Sequence, residues 1–162
     1  MNKPLIVKQA RIRNDTNSVE VSDGTIVHPE AEIWAKNGPI IIGKNNLIEE
    51  RTKIINELPT PMIIGDNNVF EVGTECRAKV VGNNCTFCVQ TIISDQVTIG
   101  SHCIFAPRSK VTSACHIEDC TSVTGQNAEN WITLKSTQPD QQQQLDYLKG
   151  ILPKYHFFQQ NF

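Results

Sequence analysis

Neither sign of charge dominates this sequence: 15 Lys and Arg stand against 17 Asp and Glu, a formal net charge of -2. That balance gives no electrostatic reason to expect nucleic acid or an anionic membrane as partner. Long apolar runs are missing too, and none approaches the ~20 residues that a membrane-spanning helix needs. The opening stretch Met1-Asn2-Lys3-Pro4-Leu5-Ile6-Val7 turns polar too soon for a secretory signal. Without such a signal, the six cysteines read as reduced thiols rather than a disulfide framework. Histidine is scarce: His28, His102, His116 and His156 lie 74, 14 and 40 residues apart. These absences lead to the expectation of a soluble, cytoplasmic protein with no membrane insertion. At 162 residues the chain is roughly one domain long, with room for a real core.

What is present is a period. From Val81 apolar residues recur every six positions, at Phe87, Ile93, Ile99, Phe105, Val111, Ile117 and Val123. With 39% of residues hydrophobic, eight hits in eight trials is a roughly one-in-two-thousand event. Four residues after each hit but the last stands a small or short side chain: Cys85, Thr91, Val97, Cys103, Ser109, Cys115 and Thr121. A helix of period 3.6 cannot hold this register, and a two-residue alternation would need apolar residues where polar ones stand. Upstream, Ile42, Ile48 and Ile54 are in phase, as are Ile64, Phe70 and Cys76, and Val21, Val27 and Ile33. Three breaks interrupt the count: a step of nine after Ile33, ten after Ile54 and five after Cys76. Residues 1–20 hold the phase poorly, although Ile6 and Ile12 are six apart.

Three hexads make an 18-residue coil. Gly43, Gly65, Gly82 and Gly100 head similar turns, 22, 17 and 18 residues apart, which is one coil corrected for the breaks. Gly and Asn accept positive φ, so these turns are expected to share one corner of a triangular solenoid. Stacking the coils predicts a column of Ile42, Ile64, Val81, Ile99 and Ile117, and another of Ile48, Phe70, Phe87, Phe105 and Val123. The expected fold is an all-β solenoid of about seven coils over residues 1–128. Residues 129–162 read as a linker and an α-helix on its flank. Leu145, Leu148, Ile151 and Leu152 share one helix face, with Pro139 near the start and Pro153 expected to end it. The run Gln141–Gln144 reads as helix.

Such hexads resemble the left-handed parallel β-helix family, which includes acyltransferases, γ-class carbonic anhydrases and non-catalytic proteins; the handedness is what the resemblance implies. Residues 38–50 (Gly38-Pro39-Ile40 through Leu47-Ile48-Glu49-Glu50), 61–73 (Pro61-Met62-Ile63 through Val72-Gly73) and 145–156 (Leu145-Asp146-Tyr147 through Tyr155-His156) resemble the dynactin subunit 6 family more narrowly, over about residues 21–158. The resemblance implies a non-catalytic structural subunit without cofactor. It further implies a place in dynactin's pointed-end complex, beside dynactin subunit 5 and the actin-related proteins, supporting dynein-driven transport and cargo binding.

The alternative is a hexapeptide-repeat enzyme, an acyltransferase or a γ-carbonic-anhydrase-like protein. A three-histidine metal site needs histidines in register on stacked coils, and none of the spacings equals one or two coils. His102 or His116 could be nominated as an acyl-transfer base, although surface-turn histidines are commoner. Cys85-Thr86-Phe87-Cys88 forms a C-x-x-C, but Cys85, Cys103 and Cys115 fall on the small position and Cys76 on an inward column; Cys88 and Cys120 take no place. No catalytic or metal residue is therefore expected. Glu49 and Glu71 should stack on adjacent coils, which is unfavourable unless a cation intervenes. Arg51, Lys53, Arg77 or Lys79 is the expected source, and a basic group of a partner is the other.

Overall fold

Each hexad becomes a strand of two to four residues because one inward apolar side chain is followed by turn-forming residues. The computed structural model describes residues 3–126, 130–133 and 142–155. The strands wind into a three-sided parallel β-helix. Six complete coils span residues 5–21, 26–42, 47–64, 69–81, 86–99 and 104–117, and the seventh contributes one strand, Thr121–Thr124. The count of about seven thus resolves into six coils and a strand. On the first face Asn130–Thr133 closes the row by pairing antiparallel with Thr121–Thr124. That strand falls within the stretch read from sequence as linker.

Three inward columns form the core. The first runs Ile6, Val27, Ile48, Phe70, Phe87, Phe105 and Val123. The second runs Ile12, Ile33, Ile54, Cys76, Ile93 and Val111. The third runs Val21, Ile42, Ile64, Val81, Ile99 and Ile117. Both columns expected from the sequence are present, and the poorly phased start of the chain is coil one. Its phase is hidden because the step from Ile12 to Val21 is nine, like that from Ile33 to Ile42. The extra residues of the first three coils gather at one corner and stack there: Asn17 Nδ2 donates to the Ala35 carbonyl (3.3 Å) and Asn37 Nδ2 to that of Glu57 (2.7 Å).

The glycine corner is real and its asparagines carry the expected positive φ, but its glycines are there for another reason. Positive φ falls on Asn45, Asn67, Asn84 and His102, not on Gly43, Gly65, Gly82 or Gly100. The glycines are needed for close approach: a Cβ on Gly43 would stand 2.6 Å from the Gly65 carbonyl oxygen, and one on Gly65 2.6 Å from that of Gly82. Beside them runs a buried ladder. Asn46 Nδ2 donates to the Gly65 carbonyl and Asn68 Nδ2 to that of Gly82, each at 2.9 Å. In return Asn46 Oδ1 accepts the Asn68 amide and Asn68 Oδ1 that of Cys85, each at 2.8 Å.

The C-terminal helix Gln142–Tyr155 lies on the outside of the first face. Leu145 and Leu152 are buried there against Ile26, Leu47 and Val69, with Leu148 and Leu5 partly buried beside them. Each such leucine contributes ~1.5–3 kcal/mol. Pro153 does not end the helix; it sits in the last turn, which continues two residues farther. A proline there forfeits one hydrogen bond at an end already fraying. Pro139, His156 and the boundary at residue 128 lie outside the described residues. Among the described residues, no helix is long and apolar enough to cross a membrane.

Candidate functional site

The residue after each first-face strand stands at the corner leading to the second face, so these residues form a vertical row. The row reads Val7, His28, Glu49, Glu71, Cys88 and Ala106. The amides of His28, Glu49, Glu71 and Cys88 donate to the inward residue of the coil above, Ile48, Phe70, Phe87 and Phe105 respectively. The stacking of Glu49 and Glu71 on adjacent coils is therefore as expected. What neutralises them is not. Glu49 Oε2 accepts the Val72 amide (3.1 Å) and Glu71 Oε2 the Val89 amide (3.0 Å), each carboxylate capping the corner one coil up. Among the described residues neither makes an ion pair. Arg51 instead faces Glu30 (3.6 Å), and Arg77 joins Glu75 and Glu57.

The electrostatics follow from this crowding. Burial raises the pKa of Glu49 above its usual value and the neighbouring Glu71 adds to the rise, only partly offset by the Val72 amide. Glu50 goes the other way: burial alone would raise it, but hydrogen bonds from His28 and its own amide hold it below its usual value. His28 Nδ1 lies 2.9 Å from Glu50 Oε1, while its Nε2 is buried without a hydrogen-bond partner in the described structure. Sequence reading missed this pair because its members are 22 residues apart, one more than a coil with its three-residue insertion.

The nominated histidines do not converge. His102 is exposed in a turn at φ 59°. His116 stands on the outer third face, with Nδ1 2.8 Å from Thr98 Oγ1. Among the described residues no three His, Cys, Asp or Glu side chains could hold a metal ion. The C-x-x-C is split: Cys85 joins the asparagine ladder, its thiol donating to the Gly100 carbonyl (3.2 Å), while Cys88 faces outward in the corner row. Cys103 repeats the arrangement with the Glu118 carbonyl (3.2 Å). Burial pushes the Cys76 thiol up to about 12. Contact with Cys103, and then burial, holds Cys85 protonated. A shallow groove of 410 Å³ runs between Glu75, Gln90, Arg108 and Lys110 on the second face, lined by neither histidine nor cysteine. Its carboxylate, Glu75, is tied to Arg77.

The third face carries Ile41 and Ile63 in direct register, 39% and 46% exposed. On the first face, by contrast, the outer residues Ile26, Leu47 and Val69 are covered by the chain's own helix.

Comparison with known proteins gives this architecture a family. A dynactin subunit 6 from Nematostella vectensis is 37% identical over 163 residues, spanning 94% of this chain and 86% of that protein. The chain belongs to the dynactin subunit 6 family. A dynactin subunit 6 from Danio rerio is also 37% identical, over 94% of this chain and 82% of its own length. One from Dictyostelium discoideum is 42% identical over 112 residues, 64% of this chain and 58% of that protein. No family model matches the chain. Among solved structures, a hexapeptide transferase family protein from Anaplasma phagocytophilum superposes with a TM-score of 0.66 at 15% identity, covering 94% of this chain and 88% of that one. At that identity the likeness concerns the fold, which is the left-handed hexapeptide-repeat β-helix. The dynactin subunit 6 family and an enzyme-bearing fold thus share one backbone plan, and fold alone does not assign a reaction.

Proposed function

We propose that this chain is a non-catalytic structural subunit of dynactin. It sits in the pointed-end complex beside dynactin subunit 5 and the actin-related proteins, in the cytoplasm, and supports dynein-driven transport and cargo or adaptor binding. The observation that carries the reading is the 37% identity to proteins named dynactin subunit 6 across 94% of the chain. Among the described residues His28, His102 and His116 stand on separate corners and faces, which supports it over a metal-dependent hydratase, whose histidine ligands would have to stack in register.

Glu49 and Glu71 are contacts within this reading: each gives one carboxylate oxygen to the backbone, and the other faces a basic group of a partner. Reversing both charges is expected to weaken partner pull-down, and an unchanged pull-down counts against that role. Velocity sedimentation of cytosol tests the function. The chain is expected in one large particle with actin-related proteins; a free homotrimer that consumes acyl-CoA or binds stoichiometric zinc would overturn it.

A further inference from the structure

The charges of the second face are unevenly matched along the solenoid. Over its earlier coils the carboxylates meet arginines: Arg13 lies 3.0 Å from Glu32, and Arg77 holds both Glu75 and Glu57, the latter at 3.3 Å. Beyond Glu75 the same row continues with Ile92, Lys110 and Gln126, and carries no further carboxylate. Beside it runs the corner between the first and second faces, where positive φ recurs at Glu30, Arg51, Gly73, Gln90 and Arg108. Arg51 faces Glu30 (3.6 Å), and Arg108 Nε donates to Gln90 Oε1 (3.1 Å). Among the described residues neither Arg108 nor Lys110 makes an ion pair. Gly73 leaves a notch between these two side-chain pairs. Four residues with side chains hold a similar φ at the same corner, and a Cβ on Gly73 would meet Gln90 Cγ at 3.4 Å, an ordinary contact. Neither the backbone nor crowding therefore demands a glycine there.

The 410 Å³ groove joins this notch to Ile92, Arg108 and Lys110. Its charge and shape select a ligand. Two cations without a counter-charge attract an anion, and the Arg108 fork, steadied by Gln90, suits a carboxylate. Glu75 does not oppose it, because Arg77 neutralises that carboxylate. Small-molecule sites enclose most of their ligand, whereas this groove is shallow and open along a sheet face. Its lining holds no aromatic ring on which a nucleotide base could stack. Half-buried Ile92, in register with Lys110, offers an apolar contact instead. Acidic groups flanking an apolar one, on a chain thin enough for the notch, meet all of these features.

We propose that this groove binds an extended acidic segment of a partner protein, with its carboxylates on Arg108 and Lys110, an apolar side chain on Ile92 and its backbone in the notch at Gly73. The site is separate from the Glu49 and Glu71 contacts and does not depend on which complex the chain joins. Amide spectra of the isotope-labelled full chain test it, titrated with the capped peptide Glu-Ser-Leu-Ser-Glu, its glutamine counterpart Gln-Ser-Leu-Ser-Gln, and inorganic phosphate. The acidic peptide is expected to shift the amides of Gly73, Ile92 and Lys110, and to bind about tenfold more tightly than the glutamine peptide. Arg108→Glu and Lys110→Gln should each weaken it about tenfold without moving the thermal transition. Gly73→Asn keeps the positive φ but fills the notch, and should weaken it likewise. Equal binding of the two peptides overturns the inference. So does a response to phosphate as strong as that to the acidic peptide, which would make the groove a site for small anions. Shifts confined to another surface, such as Ile41 and Ile63, or none at millimolar peptide, overturn it as well. Each of these failures leaves the subunit role standing.

Discussion

The ring of Phe87 lies flat on that of Phe70, with centroids 4.6 Å apart and planes within 3°. Phe105 continues the stack at 4.6 Å on the other side. Isolated rings prefer offset or edge-on contact. Here the coil repeat sets the separation, because paired strands lie ~4.8 Å apart. Phe87→Ala would leave a cavity bounded by two rings that cannot move together without breaking the ladders. It should cost ~3–5 kcal/mol in chemical denaturation. A loss below ~1 kcal/mol would be incompatible with this packing.

Two glycines separate close approach from backbone freedom. An alanine Cβ at Gly65 would meet the Gly82 carbonyl oxygen at 2.6 Å, whereas one at Gly150, in the C-terminal helix, meets nothing within 4 Å. Gly65→Ala should destabilise by ~1–3 kcal/mol. Gly150→Ala should stabilise by up to ~1 kcal/mol. Thermal melts of both variants check the contrast, and equal shifts would argue against it.

The corner row has a pH signature. Because burial and then Glu71 raise the folded pKa of Glu49, the folded state binds that proton more tightly than the unfolded chain does. Its contribution to stability is therefore greatest below the unfolded value near 4.5 and is lost as pH rises through the folded value. Glu49→Gln removes this dependence while keeping an acceptor for the Val72 amide. It should equal or exceed the wild type at pH 7, by up to ~1 kcal/mol, with the difference narrowing in acid. Urea titrations at two pH values give the comparison; a variant that loses stability only at neutral pH would contradict the account.

The thiols should divide by position. Cys76, Cys85 and Cys103 are buried, and the pKa of Cys76 is pushed up to about 12. Native protein should leave these three unreacted with a thiol reagent over the time that labels Cys120, because only an accessible thiolate attacks. Peptide mapping after labelling reads the pattern, and early modification of Cys85 would place it outside the asparagine ladder.

The core was legible because a β-helix repeats its inward residue at a fixed interval, so Val81 through Val123 announce the columns directly. Coil one was harder to read, since the insertion between Ile12 and Val21 hides a phase that becomes visible only when it stacks on the matching insertion after Ile33. At the glycine corner the asparagines take the positive φ expected of them, but the reason for the glycines is not visible in sequence. Period reveals where Gly65 sits, but only three dimensions show the Gly82 carbonyl beside it. Glu49 and Glu71 were placed correctly, whereas their amide partners were not foreseen, because a side chain reaching one coil up leaves no trace in residue types. The His28–Glu50 pair was hidden likewise by the irregular spacing of its coils.

Affinity purification of the chain from cytosol, with quantitative mass spectrometry of what accompanies it, tests the central claim most directly. The account predicts actin-related proteins and dynactin subunit 5 in fixed stoichiometry with the chain, stable to gel filtration. Recovery of the chain as a homotrimer, free of those proteins and active on an acyl-CoA, would contradict it.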